Sequence, residues 1–174
     1  MTPFFKKKKP SPYDEAVNLT WYLQNIFYNS AGNIISSLRK NLFLNPGHLQ
    51  LIQLGFWPGG DRDGNPFVNT DITLSVARRL KETILKCYYS DIRIIRRRIS
   101  FTGVYEKLLK IEQQLLDSIR GKDSLDCDSF KNGIQSILND LNTHHKGVFK
   151  ELLEDFLDRI TLFGFYFAAL DYRQ

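Results

Sequence analysis

Apolar residues recur at helical spacing along most of the chain. The longest pattern steps by four residues from Ile72 to Ile92, as one face of a helix does. Because steps of four drift around a helix with 3.6 residues per turn, this face winds, and several partner elements are expected to cover it. Asn69 and Asp71 precede the pattern and provide a capping side chain and an acidic first turn.

Other segments show the same periodicity. The first begins at Asp14, weakens at Gly32 and Asn33 and resumes at Ile34, which predicts two helices or one kinked helix. Short polar links separate the later helices, and such links favour antiparallel packing. These later helices are predicted over residues 105–119, 130–141 and 148–163.

The end of the chain has a different pattern. A continuous apolar run over residues 165–170 lies between Gly164 and Asp171, which is typical of a strand buried on both faces. A helix extension or a frayed tail is the alternative. No partner strand is predicted elsewhere, so the chain is expected to belong to a larger α/β protein. Asp171 and Arg173 would share one side of the strand end, where α/β barrels carry their active sites.

Composition is that of one globular domain. The chain has 174 residues, of which 43% are apolar, and this suffices to bury a core. Residues 1–12 contain three prolines and four lysines and are interpreted as an extended basic arm. A single mostly helical domain is predicted over residues 13–174.

The charge distribution and the cysteines limit which partners and which cellular compartment are expected. The net charge is +5, but the basic runs at 6–9 and 96–98 lack a stacking pattern of aromatic and basic residues. We therefore expect a solvated tail and helix face, with no nucleic acid bound. No apolar run approaches the roughly 20 residues of a membrane span, and no secretory signal is recognised. The distant Cys87 and Cys127 indicate a reducing cytoplasm and ordinary buried thiols.

The polar chemistry concentrates in residues 57–68, here called the signature loop, which read W-P-G-G-D-R-D-G-N-P-F-V. An EF-hand is excluded, because counting from Asp61 the glycine falls fourth and no glutamate stands twelfth. The glycine spacing also excludes a P-loop and a dinucleotide fingerprint. A rigid binding loop is one interpretation. In the other, Asp61, Asp63 and Asn65 simply bond their own backbone.

Three motifs, in this order, resemble phosphoenolpyruvate carboxylase. Residues 59–66, G-G-D-R-D-G-N-P, match the core of that family's signature loop completely. Residues 9–16, K-P-S-P-Y-D-E-A, are similar to its K-P-T-P-x-D-E-A, and residues 163–174 resemble its F-G-x-x-x-x-x-L-D-x-R-Q. We call residues 170–174 the C-terminal motif. The resemblance implies a mainly α-helical segment of a larger α/β-barrel enzyme, ending in one barrel strand.

The resemblance also implies what the intact parent does. Enzymes of this family are lyases that carboxylate phosphoenolpyruvate with bicarbonate to oxaloacetate and phosphate, replenishing the citric acid cycle. They use Mg²⁺ or Mn²⁺ and form cytoplasmic homotetramers. The T-A-H-P-T stretch with the catalytic histidine is absent from this chain, as are the acidic metal ligands. The chain alone is therefore expected to be inactive and to bind no metal.

Two catalytic residues are implied by the resemblance. Arg173 is expected to bind the phosphate of phosphoenolpyruvate, because a planar guanidinium can donate two parallel hydrogen bonds to a phosphate. The structural alternative is that Arg173 pairs with Asp171. Trp57 is expected to form a dry wall beside the bicarbonate or carbon dioxide and to protect an enolate from water; core packing is its alternative. The residues expected to shape the substrate site are Arg62, Asp63 and Asn65, with an Arg62–Asp63 pair as one arrangement.

A second class of function is a stand-alone helical interaction module. Its basic faces would bind an acidic partner, and this binding would weaken with salt. Such a module gives no reason for the chain to carry both the signature loop and the C-terminal motif. The adjacent His144 and His145 do not favour a metal site, since neighbours on a helix point about 100° apart.

Overall fold

The structure is a computed structural model that describes residues 10–48, 51–62 and 66–172. Helices dominate this part of the chain, so the prediction of a mainly α fold is confirmed. The elements are α1 (Pro12–Tyr22), α2 (Tyr28–Asn41), β1 (Gly55–Phe56), α3 (Thr70–Arg98), α4 (Val104–Ile119), α5 (Cys127–His144), α6 (Lys150–Phe163) and β2 (Ala169–Leu170). None of these helices has both the length and the apolar character needed to cross a bilayer.

A π-helical turn over Leu23–Phe27 joins α1 to α2. Two helices or one kinked helix were predicted here, with the change at Gly32 and Asn33, and that predicted position is wrong. Gly32 lies inside α2, and a Cβ there would lie 2.7 Å from Nε of Arg159 in α6. The glycine therefore serves the close approach of two helices and does not break the first one.

The long helix α3 follows its sequence pattern closely. Asn69 caps it, since its Oδ1 accepts a hydrogen bond from Ile72 N at 3.0 Å. The apolar face is buried from Val76 to Ile95 and packs against α1, α4 and α6. The predicted start of this helix and its burial against several elements are thus confirmed. Helices were also correctly predicted within α4, α5 and α6.

Tyr88 of α3 lies in the middle of the core and is fully buried. Its hydroxyl donates to Gly164 O at 2.7 Å. Burial raises the pKa of Tyr88 well above its usual value, so the hydroxyl stays neutral and available as a donor. Four aromatic rings with centroids between 5.6 and 6.2 Å away surround it: Tyr28, Phe130, Phe156 and Phe165.

The C-terminal strand is shorter than predicted. Residues 164–168 form turns, in which Phe167 has a φ of 65° and its N–H donates to Phe163 O at 3.1 Å. The buried rings of Phe165 and Phe167 pack into the helical core, so residues 165–168 are apolar because they are buried, without belonging to a sheet. The predicted lack of a partner strand is also wrong, because β2 pairs in parallel with β1. Because the strand has a partner within the chain, it can no longer be used as an argument that the chain belongs to a larger α/β protein.

Arg39 connects α2 to α6 and to the turn that leads towards β1. Its Nε donates to Asp158 Oδ2 and its Nη2 to Asp155 Oδ1, both at 2.6 Å. The second oxygen of Asp158 accepts from Gly47 N at 2.9 Å. Burial alone would lower the pKa of Arg39, but the hydrogen bond and charge of Asp158 raise it. Asp158 is fully buried, so the Arg39 guanidinium supplies the cation beside it.

Replacing Arg39 tests this connection. Arg39→Met leaves the buried Asp158 carboxylate without its cation and should lower the free energy of unfolding by about 3–5 kcal/mol. The measurement is urea denaturation of the 174-residue chain. The matched control is Lys40→Met, because Lys40 also pairs with Asp155, but its side chain is 46% exposed against 5% for Arg39. That variant should lose less than about 1 kcal/mol. Equal losses in the two variants would contradict a special role for the buried pair.

Candidate functional site

The pairing of β1 with β2 brings the signature loop and the C-terminal motif together. Gly55 lies opposite Ala169 in the parallel register. At the end of the pair, Asp171 N donates to Phe56 O at 2.9 Å. Because the two strands are parallel, the signature loop follows β1 and the C-terminal motif follows β2 at the same end of the strand pair. Two motifs that are far apart in sequence thus become neighbours.

A tight turn opens the signature loop and attaches it to α3. Trp57 O accepts from Gly60 N at 3.0 Å and from Asp61 N at 3.1 Å. Gly59 has a φ of +78°, a conformation in which a residue with a Cβ would be strained. Thr73 Oγ1, in the first turn of α3, donates to Gly59 O at 2.6 Å. The loop is therefore fixed by a helix that is itself anchored in the core.

Two glycines of the loop, Gly59 and Gly60, permit close contacts. A Cβ on Gly60 would lie 2.4 Å from the carbonyl oxygen of Asp171, and a Cβ on Gly59 would lie 2.7 Å from Val76 Cγ2. The first contact involves backbone, which cannot swing away as a flexible side chain can. The G-G of the motif thus allows the loop to lie directly against the C-terminal motif.

Arg62 extends from the loop across the C-terminal motif. Its Nη2 donates to Thr70 Oγ1 at 3.3 Å, and its Cζ lies 5.0 Å from the centroid of the Tyr172 ring. Its buried Nε has no hydrogen-bond acceptor among the described residues. The proposed pairing with Asp63 falls outside the described part of the chain. Arg62 therefore joins the start of α3 to the residue that precedes Arg173.

Trp57 is 53% exposed and lines an apolar groove of about 440 Å³. Within the described residues it is therefore not a core side chain. The groove is formed by side chains from α1, the π-helical turn and the β1 segment. Those beside Trp57 include Leu19, Leu23, Phe27 and Phe56. The arrangement leaves the indole on an open apolar surface beside the signature loop.

Three of the five predicted site residues, Asp63, Asn65 and Arg173, lie outside the described residues. The two that are described, Trp57 and Arg62, occupy different sides of the loop. Trp57 faces the groove next to α1, whereas Arg62 faces Tyr172. The described structure thus shows where the loop and the C-terminal motif meet.

Metal ligands do not cluster in the described part of the chain. No group of three or more histidine, cysteine, aspartate or glutamate side chains there could hold an ion. His144 is exposed. His145 is half-buried and stacks on Phe101, with ring centroids 4.3 Å apart. The histidines thus contribute to a turn and a stacking contact.

The cysteines are structural thiols. Neither Cys87 nor Cys127 forms a disulfide. Burial, with a smaller contribution from the charge of Asp91, raises the pKa of Cys87 to about 12. Burial also raises the pKa of Cys127. Since the thiolate is the reactive form, neither side chain is suited to nucleophilic chemistry near neutral pH.

Sequence reasoning missed the residues that hold the loop in place. Thr70 and Thr73 bond Arg62 and the Gly59 carbonyl, and Tyr172 lies under the guanidinium of Arg62. The sequence did contain a signal for the two threonines. They are three residues apart at the start of the helix that follows the loop, and residues at that spacing lie on one face of a helix. The position of Tyr172 in the C-terminal motif gave no comparable signal.

Comparison with known proteins agrees with this geometry. Residues 1–127 match the family model for phosphoenolpyruvate carboxylase, and this chain belongs to that family. A phosphoenolpyruvate carboxylase of Nitrosomonas europaea is 26% identical in an alignment 171 positions long, gaps included, that covers 74% of this chain and 18% of that protein. One from Shewanella loihica is 25% identical in an alignment 208 positions long, gaps included, that covers 97% of this chain and 23% of that protein.

A shorter match is more similar. The phosphoenolpyruvate carboxylase of Shewanella halifaxensis is 31% identical over 113 residues, which cover 60% of this chain and 12% of that protein. The chain thus spans between 12% and 23% of the length of these three relatives. It corresponds to one segment of a much larger enzyme.

Replacing Gly60 tests the contact between the loop and the C-terminal motif. Gly60→Ala places a Cβ against the Asp171 carbonyl, so the two backbones must separate, at a cost of about 1–3 kcal/mol. The amide of Asp171 should then exchange with solvent faster, because its bond to Phe56 O is lost. Hydrogen exchange of the 174-residue chain measures this. Gly55→Ala is the control, since a Cβ there meets nothing within 4 Å. Unchanged exchange in Gly60→Ala would contradict the contact.

Proposed function

We propose that this chain forms one side of the substrate site of a phosphoenolpyruvate carboxylase. The intact enzyme carboxylates phosphoenolpyruvate with bicarbonate and releases oxaloacetate and phosphate. Family membership supports the reaction. The assignment of the site rests on one observation, the close approach of Gly60 to the carbonyl of Asp171. This contact brings the signature loop next to the described part of the C-terminal motif.

Arg173 binds the phosphate of phosphoenolpyruvate in this proposal. A guanidinium can donate two parallel hydrogen bonds to a phosphate and keeps its charge at any physiological pH. Phosphoryl transfer to bicarbonate gives carboxyphosphate and an enolate, and it depends mainly on positioning and on neutralising charge. An arginine held at a fixed place supplies both.

Trp57 provides the apolar wall for the carboxylation step. Carbon dioxide released from carboxyphosphate must react with the enolate carbon before water protonates that carbon. The groove beside Trp57 is lined mainly by apolar side chains, as a surface that excludes water must be. The neighbouring loop residues that shape the substrate site in this proposal are Arg62, Asp63 and Asn65.

The intact enzyme is expected to use Mg²⁺ or Mn²⁺, which when bound would supply neutralising charge for the phosphate. The described residues do not fit such an ion, since no suitable group of ligands occurs among them. We assign its ligands to other segments of the parent, together with the catalytic histidine. We also propose that the parent is a cytoplasmic homotetramer that binds neither nucleic acid nor membrane.

Variants of the full-length parent test the reaction and the two roles. Arg173→Ala should lower kcat/KM for phosphoenolpyruvate about 100- to 1000-fold, the range observed when one charge-stabilising donor is removed.

Trp57→Ala should lower the yield of oxaloacetate per phosphate released, because the unprotected enolate picks up a proton. Oxaloacetate and phosphate are measured in parallel with Mg²⁺ present. Lys86→Ala, at an exposed position of α3, is the control and should retain full activity.

The outcomes separate the two classes of function. If Arg173→Ala keeps full carboxylation activity, Arg173 does not bind the phosphate. A folded parent without any activity would contradict the proposal. Binding of polyanions that weakens with salt would then favour the interaction module.

The 174-residue chain by itself should be catalytically inactive. One arginine, one loop and one apolar wall do not supply the acid–base and metal chemistry of the reaction. The measurement is oxaloacetate formation by the purified chain, with circular dichroism to establish that it is folded. Turnover that scales with the amount of chain and persists through repeated purification would contradict this expectation.

A further inference from the structure

We infer that one face of α1 and α2 is the surface on which a helix from another segment of the parent polypeptide packs. This face, here called the uncharged face, follows the two helices and the π-helical turn between them. Its exposed apolar side chains are Trp21, Tyr22, Ile26, Phe27, Ile34 and Leu38. The packing is independent of the proposed role of Arg173 and adds an interface that the reaction alone does not require.

The first support is the absence of charge. Residues 16–38 contain no aspartate, glutamate, lysine, arginine or histidine. At the 25% charged content of the whole chain, these 23 residues would hold about six charged side chains. Helix α3 carries eleven in 29 residues. Helix surfaces that face water are normally charged, whereas the centre of an interface is depleted of charge and enriched in aromatic residues.

The second support is that these side chains point away from the core of the described chain. Their exposed fractions lie between 36% and 56%. The helices pack against α3 and α6, and their buried residues include Ala16 and Ile35. Phe27, Ile34 and Leu38 follow one another at spacings of seven and four residues, so they share one side of the helix. The uncharged face is therefore distinct from the side that the described chain already covers.

The third support is continuity with the groove beside Trp57. Tyr22 and Phe27 belong to the uncharged face and also line that groove. The Trp21 ring meets the Tyr22 ring edge-on, with centroids 5.2 Å apart. From Tyr22 to Leu38 the face is about 24 Å long at 1.5 Å per residue, which matches a helix of about four turns. A helix lying along it would also cover one side of the groove.

The size of the parent and the chemistry of the face indicate what covers it. The chain spans between 12% and 23% of the length of three relatives, so most of a protein of that size lies outside it. Residues four apart, such as Ile34 and Leu38, form the ridges against which another helix packs. The exposed polar residues between them are uncharged, for example Asn33 and Ser37, whereas helices that lie on lipid are rich in lysine and arginine. We therefore expect a protein helix with an apolar, uncharged stripe of its own.

Side-chain oxidation by hydroxyl radicals in the full-length parent tests the packing. The exposed fractions of Ile34 and of Ile94 in α3 are 51% and 49%, so the two isoleucines are matched in type and exposure. Ile94 lies between Arg93 and Arg96 on a charged helix and serves as the control. Ile34 should be oxidised at least about 10-fold more slowly than Ile94, because the centre of an interface is packed as densely as a protein interior. Mass spectrometry of the two peptides measures the rates, and similar rates would overturn the inference.

A charge introduced on the uncharged face is the second test. Ile34→Glu would bury a carboxylate beneath the covering helix and should lower the Tm of the parent by several degrees. Ile94→Glu should leave the Tm within about 1 °C, since its carboxylate stays in water beside basic residues. Equal Tm values for the two variants would contradict the packing. If Ile34→Glu fails to fold, the oxidation rates of the unsubstituted parent decide.

Dilution distinguishes the covering segment from a second copy of the parent. Oxidation is repeated at concentrations at which the parent sediments as a single polypeptide. Protection of Ile34 that persists there supports a segment of the same polypeptide. Protection that is lost there would show that another copy covers the face, and the inference would be wrong. None of these measurements uses catalysis, so a folded but inactive parent would contradict the proposed function and leave a protected Ile34 as support for the interface.

Discussion

The hydroxyl of Tyr88 is fully buried, and a buried hydroxyl without a partner would be costly. Its acceptor, Gly164 O at 2.7 Å, lies where the chain leaves α6 for the turn before β2. The aromatic rings around Tyr88 come from α2, α5, α6 and that turn. One satisfied hydrogen bond inside an aromatic cluster thus orients the approach to β2. The parallel pairing with β1, and with it the meeting of the two family motifs, depends on this orientation.

Three residues of the signature loop have a packing explanation. Gly59 faces Val76, Gly60 faces the backbone of Asp171, and Arg62 faces Tyr172. The glycines allow close approach, and the arginine provides a planar cation that can stack. These roles link the loop to α3 on one side and to the C-terminal motif on the other. The loop therefore depends on both elements for its shape.

Sequence patterns predicted the helices well because each carries its own signal. The cap at Asn69 and the regular apolar steps of α3 are local features, and local features can be read from a single sequence. The two-residue strand β1 has no such signal, since two residues show no periodicity. Residues 165–168 were wrongly predicted as strand because burial in a helical core and burial in a sheet select the same residues. The Arg62–Tyr172 contact was missed since it depends on tertiary structure.

The order in which the chain is made affects when the site can form. Roughly 110 residues lie between β1 and β2, and ribosomes add about 5–20 residues per second. The signature loop of a nascent chain therefore waits about 6–22 seconds before its partner strand exists. During this interval the edge of β1 and the apolar side chains beside Trp57 lack the contact that later orders the loop. The contact between the two family motifs therefore cannot form until the ribosome has added Asp171.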